Sequence, residues 1–264
     1  MSRGRVAVIS ACYNVAPELI AKHFMSVHTQ SRDIVHVVVD DCSPRMDTRA
    51  ALLSSADKFK KKCYLIKSDE NGGPGAARNR AISYIKKMSN IEYACLLDMD
   101  DYFESNAVAV RRGVLDNDDG LVMVYGDKNT ATLKLGPDEY SAESEWIWQE
   151  ETKTHEVAPS FDKARLMREC YIPSCSAMFR WDTFIENVKS FNTEVRLCED
   201  WLIWRKLALL GRVAKIDATI YTQTIHDNNL TKNAAVLKNH YRDMVKTQHD
   251  LNEWMQVNGD KITL

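Results

Sequence analysis

The chain has 264 residues, 45% of them hydrophobic, which is enough apolar content for a real core in one large domain or two small ones. Its 35 basic residues nearly cancel its 37 acidic ones, so global charge gives no argument for a nucleic-acid or anionic-membrane partner. Seven cysteines with no Cys-x-x-Cys pair speak against a disulfide framework or a zinc site, and no run approaches the ~20 apolar residues that span a bilayer. Met1 to Arg5 runs straight into a strand without the apolar core of a signal peptide, so a cytoplasmic protein is expected.

The first half alternates. Val6 to Ala11 is predicted as a buried strand, and Pro17 to Thr29 as a helix with Leu19, Ile20, Phe24 and Val27 on one face. Ile34 to Val39 is a second strand ending at Asp40-Asp41, followed by a helix over Asp47 to Phe59 and a third strand over Cys63 to Ile66. A helix from Pro74 to Met88 is entered through glycines, and Tyr93 to Leu97 is the fourth strand. Strand–helix repetition with nearly continuous apolar strands predicts an α/β fold with a mostly parallel sheet covered on both faces. Right-handed crossovers then bring the strand C-terminal ends to one edge. That edge would carry Tyr13-Asn14, Asp40-Asp41, Asn71-Gly72-Gly73 and Asp98-Met99-Asp100-Asp101.

The second half is less regular. Leu121 to Tyr125 is a strand that Asp127 to Leu135 either continues or pairs with. The polar, aromatic segment from Gly136 to Pro159, with Trp146 and Trp148, is expected to be a long loop or a hairpin insertion. Those tryptophans could stack on a sugar or base, or fill a core. Cys175 to Phe179 is a short apolar run, Trp201 to Leu210 a helix stopped by Gly211, Val213 to Tyr221 a strand and His240 to Val257 a closing helix. With no repeat, low-complexity tract or linker, residues 1–264 are divided as one domain.

Three carboxylates in four positions, Asp98, Asp100 and Asp101, suit a hard divalent ion such as Mg2+ or Mn2+ shared with substrate phosphates. The alternative is a solvated acidic turn capping a helix that starts near Ser105. Asn71 to Asn79 joins a strand to a helix whose free N–H groups favour anions, with Arg78 one turn in and able to reach a phosphate or a base. It is not a Walker loop, because Lys-Ser/Thr is missing, and a tight packing turn explains it equally. Asp40-Asp41 could accept from a base N–H or a ribose hydroxyl, or could cap a turn. Glu199-Asp200 opens a helix; a general base is one explanation, and capping is the one spacing favours. An isolated His226 is more often structural than a ligand.

Taken in this order, the motifs resemble family 2 glycosyltransferases, the inverting group with the GT-A fold. The matches are Tyr13-Asn14, Val39 to Ser43, Asn71-Gly72-Gly73 with Ala77-Arg78-Asn79, and Leu97-Asp98-Met99-Asp100-Asp101 as the Asp-x-Asp motif. Ser176 to Arg180, Glu199-Asp200 and His226 to Thr231 resemble the later landmarks. Cys12 stands where a proline is common, and Thr224 where an arginine is often found.

The resemblance implies a nucleotide-sugar donor, a UDP-sugar first, and a divalent metal, Mn2+ or Mg2+. It divides the domain into a donor-binding half (1–103), a metal and acceptor half (104–232) and a helical extension (233–264). By it, Cys12, Tyr13, Asn14, Asp40, Asp41, Asn71, Gly72, Arg78 and Glu199 line the donor site. Asp98 binds ribose or metal, Asp100 or Asp101 the metal, His226 is a third metal-side residue, and Asp200 is the catalytic base. The acceptor hydroxyl would belong to a glycan, a lipid-linked sugar or a protein. A modified nucleic-acid base is a minority alternative, suggested by Lys58 to Lys62 and Arg111-Arg112. The competing classes are a nucleotidyltransferase that forms a nucleotide-sugar, and a non-catalytic module that binds one.

Overall fold

The computed structural model describes residues 4–30, 33–137, 146–226, 229 and 234–263. Strands β1 (Arg5–Cys12), β2 (Ile34–Asp40), β3 (Cys63–Lys67) and β4 (Ile91–Leu96) run parallel in the order β3–β2–β1–β4. In β1, Ala7 and Ile9 join one apolar cluster while Val6 and Val8 join another, so the two-residue period delivers a buried set to each face. The crossovers are α1 (Pro17–His28), α2 (Met46–Lys58) and α3 (Pro74–Ile85). Both α1 and α3 open on proline, which fits a first turn where no N–H is needed, and α3 is entered from Gly73 at φ +84°.

Beyond β4 the sheet becomes mixed. The later elements are β5 (Tyr102–Phe103), α4 (Ala107–Asp116), β6 (Leu121–Pro137), β7 (Trp146–Glu156), α5 (Lys163–Leu166), β8 (Met178–Arg180) and α6 (Trp181–Thr183). They are followed by α7 (Glu199–Leu210), β9 (Arg212–Ile225), α8 (Ala234–Leu237) and α9 (His240–Asn258). The described strands form one nine-stranded sheet in the order β3–β2–β1–β4–β8–β6–β9–β5, with β7 antiparallel on β6. Strand β8 is antiparallel to both β4 and β6, and β9 is parallel to β6.

Two expectations are resolved here and one is corrected. Asp127 to Leu135 continues β6, and the segment beyond it is a hairpin through β7. Residues 138–145 and the side chains of Trp146 and Trp148 lie outside the described part, as do Asp227, Asn228, Leu230 and Thr231. The helix expected near Ser105 begins at Ala107, and β5 separates it from the acidic cluster, so Asp98 to Asp101 do not cap it.

One face of the sheet is covered by α3 and α7, whose Ala77, Ala81, Ile82, Trp201, Trp204 and Leu207 share a core with Ile9, Val37 and Leu96. Helices α1, α2 and α4 cover the other. Helix α7 is buried along almost its whole length, and the Trp201 indole N–H donates to the Leu166 carbonyl at 2.7 Å. At about 1.5–3 kcal/mol for each large apolar side chain, this burial fixes the helix that carries Glu199 and Asp200. No helix among the described residues is long and apolar enough to cross a membrane.

Close packing of α3 yields a test. A Cβ at Gly75 would sit 2.7 Å from the Asn192 carbonyl oxygen, whereas one at Gly113, within α4, would meet nothing within 4 Å. Gly75→Ala is expected to destabilise by about 1–3 kcal/mol in denaturant unfolding, and Gly113→Ala to stabilise by up to about 1 kcal/mol.

Candidate active site

The C-terminal ends of β1, β2 and β3 are tied together by the acids after β2. Asp40 Oδ1 accepts the Ser43 N–H at 2.9 Å, Ser43 Oγ accepts the Asn14 N–H at 3.0 Å, and Asn14 Oδ1 accepts the Arg45 N–H at 3.2 Å. Asp41 accepts the N–H groups of Gly72 at 3.2 Å and Gly73 at 2.7 Å, and meets Arg80 Nη1 at 3.3 Å. Both carboxylates are buried, so each first serves as a loop anchor. Cys12 is different from expectation: its side chain packs among Ile20, Phe24 and Val38, burial pushes its thiol up to about 12, and its carbonyl accepts the Asp41 N–H at 2.8 Å. Its side chain therefore faces the core, while Tyr13 stands half exposed at the edge. Asn71 is exposed and its Oδ1 accepts from Arg196 Nη1 at 3.4 Å.

Arg78 is also placed differently from a surface or phosphate-reaching side chain. It is 3% exposed; Nη2 donates to Asp98 Oδ1 at 2.8 Å and Nη1 pairs with Glu199 Oε1. Burial works against its charge, but Asp98, Glu199 and Asp200 more than offset that and hold its pKa above the ordinary arginine value. The guanidinium thus joins the acidic strand end to the first turn of α7. Next to it, the Asn79 side chain donates to the Phe191 carbonyl at 2.9 Å and accepts the Phe191 N–H at 2.8 Å, fixing α3 to the segment that leads to α7.

Helix α7 begins at Glu199, two residues before the predicted Trp201, so both acids lie inside its first turn. Its N-cap position is Cys198, at φ +65° with no side-chain cap, so neither acid caps the helix. Burial pushes the Glu199 carboxyl up to about 7, with Arg78 opposing and Asp200 adding to the rise. Burial likewise raises Asp200, against the pull of Arg78 and of the Trp201 N–H, which Asp200 Oδ1 accepts at 2.8 Å. Asp200 is only partly buried, unlike Glu199.

The three acids after β4 occupy distinct environments. Asp98 Oδ1 meets Arg78 and its side chain is 39% exposed. Asp100 Oδ2 lies 3.2 Å from His226 Nε2 and accepts from Asn229 Nδ2 at 3.1 Å. Asp101 is turned into the wall: Oδ1 accepts the Thr224 N–H at 2.9 Å and Oδ2 faces Cys175 Sγ at 3.7 Å. Burial, then Asp100 and Asp98, raise its carboxyl well above the usual range. Thr224 also donates its hydroxyl to the Asp100 carbonyl at 2.5 Å, so β9 braces the acidic turn. Two carboxylates and an imidazole form an oxygen-rich donor set suited to Mg2+ or Mn2+. Among the described residues it is the ligand atoms of Asp98, Asp101 and Cys175 that lie within 4.8 Å of one another, while His226 Nε2 meets Asp100 Oδ2 at an ordinary hydrogen-bond distance, so the carboxylates of the turn offer donors for a divalent ion.

Sequence reasoning passed over Ser10, His23, His36, Asn79, Cys175, Thr224 and Asn229 as site residues. Ser10 and His36 are polar interruptions of otherwise apolar strands, and His23 lies on the apolar face of α1; that was the available signal.

A parallel sheet half with acidic strand ends, abutting a buried helix that presents a second acid pair, is the arrangement of a GT-A glycosyltransferase. Residues 7–158, more than half of the chain, match the model described as Glycosyl transferase family 2, and the chain belongs to that family. Over 178 residues it is 27% identical to the chondroitin synthase of Pasteurella multocida (strain Pm70), covering 67% of this chain and 16% of that one. The hyaluronan synthase of Pasteurella multocida is 26% identical over the same length, again 16% of its chain. Among solved structures, S. aureus TarS 1-349 in complex with UDP-GlcNAc superposes with a TM-score of 0.60 at 21% identity, over 87% of this chain and 61% of that one. The mannosyltransferase PcManGT from Pyrobaculum calidifontis, in complex with GDP-Man and Mn2+, superposes with a TM-score of 0.62 at 16% identity, over 100% and 77%. These similarities show the fold.

Replacing Arg78 tests the bridge. Arg78→Met leaves Glu199 buried without its partner and is expected to destabilise by about 3–5 kcal/mol in denaturant unfolding. Without the arginine, Glu199 holds its proton to higher pH. The deficit should therefore widen further as pH rises above about 7, where the native protein ionises this group.

Proposed function

We propose that this chain transfers one sugar from a nucleoside-diphosphate sugar, a UDP-sugar in the first instance, to a hydroxyl acceptor with inversion at the anomeric carbon. The observation that carries the proposal is the Arg78 bridge, which sets a diphosphate-side acid and a base-bearing helix side by side. Residues 1–264 are taken as a single domain, with donor contacts from 1–103, ion and acceptor contacts from 104–232, and a helical extension over 233–264. Nucleotide-sugars in the complexes of TarS and PcManGT, on the same fold, support a donor of that class.

On this proposal the loops stitched by Asp40 and Asp41 form the cradle for the nucleoside. Tyr13, Asn14, Asn71 and Gly72 line it, and Cys12 contributes through its backbone. Asp98 and Asp100, with His226, would hold Mn2+ or Mg2+ against the diphosphate, where the bound ion supplies positive charge for the leaving group. Asp101 backs them, held by Thr224 through Oδ1, and offers a carboxylate oxygen within 4.8 Å of Asp98 and Cys175.

Asp200 is the general base. It is the partly exposed member of the acid pair, and its raised pKa makes it a better proton acceptor near neutral pH than an ordinary aspartate. Oδ1 is oriented by the Trp201 N–H, which leaves Oδ2 to take the acceptor proton. As that proton moves, the acceptor oxygen bonds to the anomeric carbon from the face opposite the diphosphate, and the C–O bond electrons leave with the nucleoside diphosphate. Arg78 and Glu199 hold the base helix at fixed distance from the diphosphate, and such positioning supplies much of the acceleration.

Asp200→Asn is expected to lower turnover by about 10²–10⁴-fold while leaving the affinity for UDP with Mn2+ unchanged, as measured by product formation and calorimetric titration. Because the base must be ionised and its pKa is raised, native activity should fall as pH drops through a point above the usual 3.8 of an aspartate. Near-native turnover in Asp200→Asn would remove the base assignment.

A further inference from the structure

Behind the acidic turn lies a line of side chains that no step of the proposed transfer uses. His23 Nδ1 sits 3.1 Å from the carbonyl oxygen of Asp98 and 2.9 Å from that of Asp101. Since Asp101 N–H also donates to the Asp98 carbonyl at 2.9 Å, the imidazole grips both ends of one four-residue turn. On the other side of the ring, His23 Nε2 is 3.0 Å from Ser10 Oγ and 3.3 Å from His36 Nε2. His36 Nε2 is 3.1 Å from Ser10 Oγ, and His36 Nδ1 is 3.3 Å from His28 Nε2. Ser10, His23 and His36 are fully buried.

The carbonyls at one end decide every proton in this line. A carbonyl oxygen only accepts, so His23 Nδ1 must carry hydrogen. With Nδ1 as the donor, the neutral ring leaves Nε2 bare to accept from Ser10 Oγ–H. His36 Nε2, facing that bare nitrogen and the serine oxygen, must then donate. Its own Nδ1 is left to accept from His28 Nε2–H. The result is one neutral, one-directional chain: His28 to His36 to Ser10 to His23 to the turn. The ligating atoms of His28, His36 and Cys63 also lie within 4.8 Å of one another, as a metal site would require. Burial pushes the Cys63 thiol up to about 12 and Lys62 bears on His28, which disfavours a cation there.

We infer that His23 is a positioning residue for the ion- and donor-binding turn, and that Ser10, His36 and His28 serve to lock the tautomer that lets it do so. This rests on the proposal that Asp98 and Asp100 hold an ion with the donor diphosphate. His23 fixes the carbonyls of Asp98 and Asp101 while Thr224 fixes that of Asp100, so the turn is held from both faces and the Asp100 carboxylate is aimed at His226.

Two amides separate the roles of the two ring nitrogens. Asn at position 23 places an N–H close to Nδ1, whereas Gln places its amide near Nε2 and cannot reach the carbonyls. His23→Gln should weaken Mn2+–UDP binding about 10–100-fold in calorimetric titration, and amide exchange at Met99 to Asp101 should quicken in the metal-free protein. His23→Asn should stay within about threefold of native, inside the 10-fold floor expected for a lost supporting contact. Native binding and exchange in His23→Gln would overturn the inference, as would an Nε2–H tautomer for His23 in the nitrogen-15 spectrum of the unmutated protein. If the unmutated protein shows no Mn2+-dependent UDP binding, the ion-site proposal fails, and the exchange and tautomer measurements still decide the role of His23.

Discussion

A single arginine buried between two carboxylates sets the geometry on which the rest of the site depends. Arg78 comes from α3, Asp98 from the end of β4 and Glu199 from the start of α7, and the last contact joins residues 121 apart in sequence. A guanidinium at such a point is costly to desolvate and is retained only where its donors are met by anions. Glu199 would be driven towards neutrality by its burial, and Arg78 opposes that drive. Two acids of opposite halves are thereby held beside one cation, and the gap between them becomes a fixed dimension of the fold. Helix α7 cannot tilt to relieve the contact, because Trp201, Trp204 and Leu207 are locked into the core beneath it.

Around that bridge the loops are over-determined. Asn14, Cys42 and Cys198 all adopt left-handed backbone at positive φ without being glycine, and each lies beside a proposed functional acid or loop. Strain of this kind persists only where surrounding contacts hold it. Ser43 and Asp40 hold the loop of Asn14, Asp41 holds the glycine turn, and the acidic turn is gripped by His23 on one side and Thr224 on the other. Thr224 itself braces the turn with its backbone and hydroxyl together.

The parallel half of the sheet and its polar edge were legible because local patterns specify them: apolar runs of strand length, helices opened by Pro17 and Pro74, and polar residues at each strand end. The family resemblance came from the same edge. Less legible was everything set by contacts distant in sequence. Arg78 looks like a surface residue until its partners are known, and Glu199-Asp200 look like a cap until the N-cap position is found at Cys198. Cys12 stands where a proline is common yet was placed at the donor site, and its alternation along β1 turns the thiol inward. The insertion of short antiparallel β8 between β4 and β6 carries no periodic signal, since three residues cannot display one. The histidine line was visible only as polar breaks in apolar elements, whose meaning depends on three elements meeting.

The central claim, that an ion held at this acidic edge lets a sugar leave its nucleoside diphosphate, is tested most directly by donor turnover with and without a chelator. Purified protein would be incubated with UDP- and GDP-sugars and Mn2+, and nucleoside diphosphate release followed. The account predicts release from at least one nucleotide-sugar that stops when the ion is chelated, returns when Mn2+ is restored, and is lost in Asp100→Asn. Release indifferent to the chelator, or pyrophosphate formed from a nucleoside triphosphate and a sugar phosphate in its place, would contradict it.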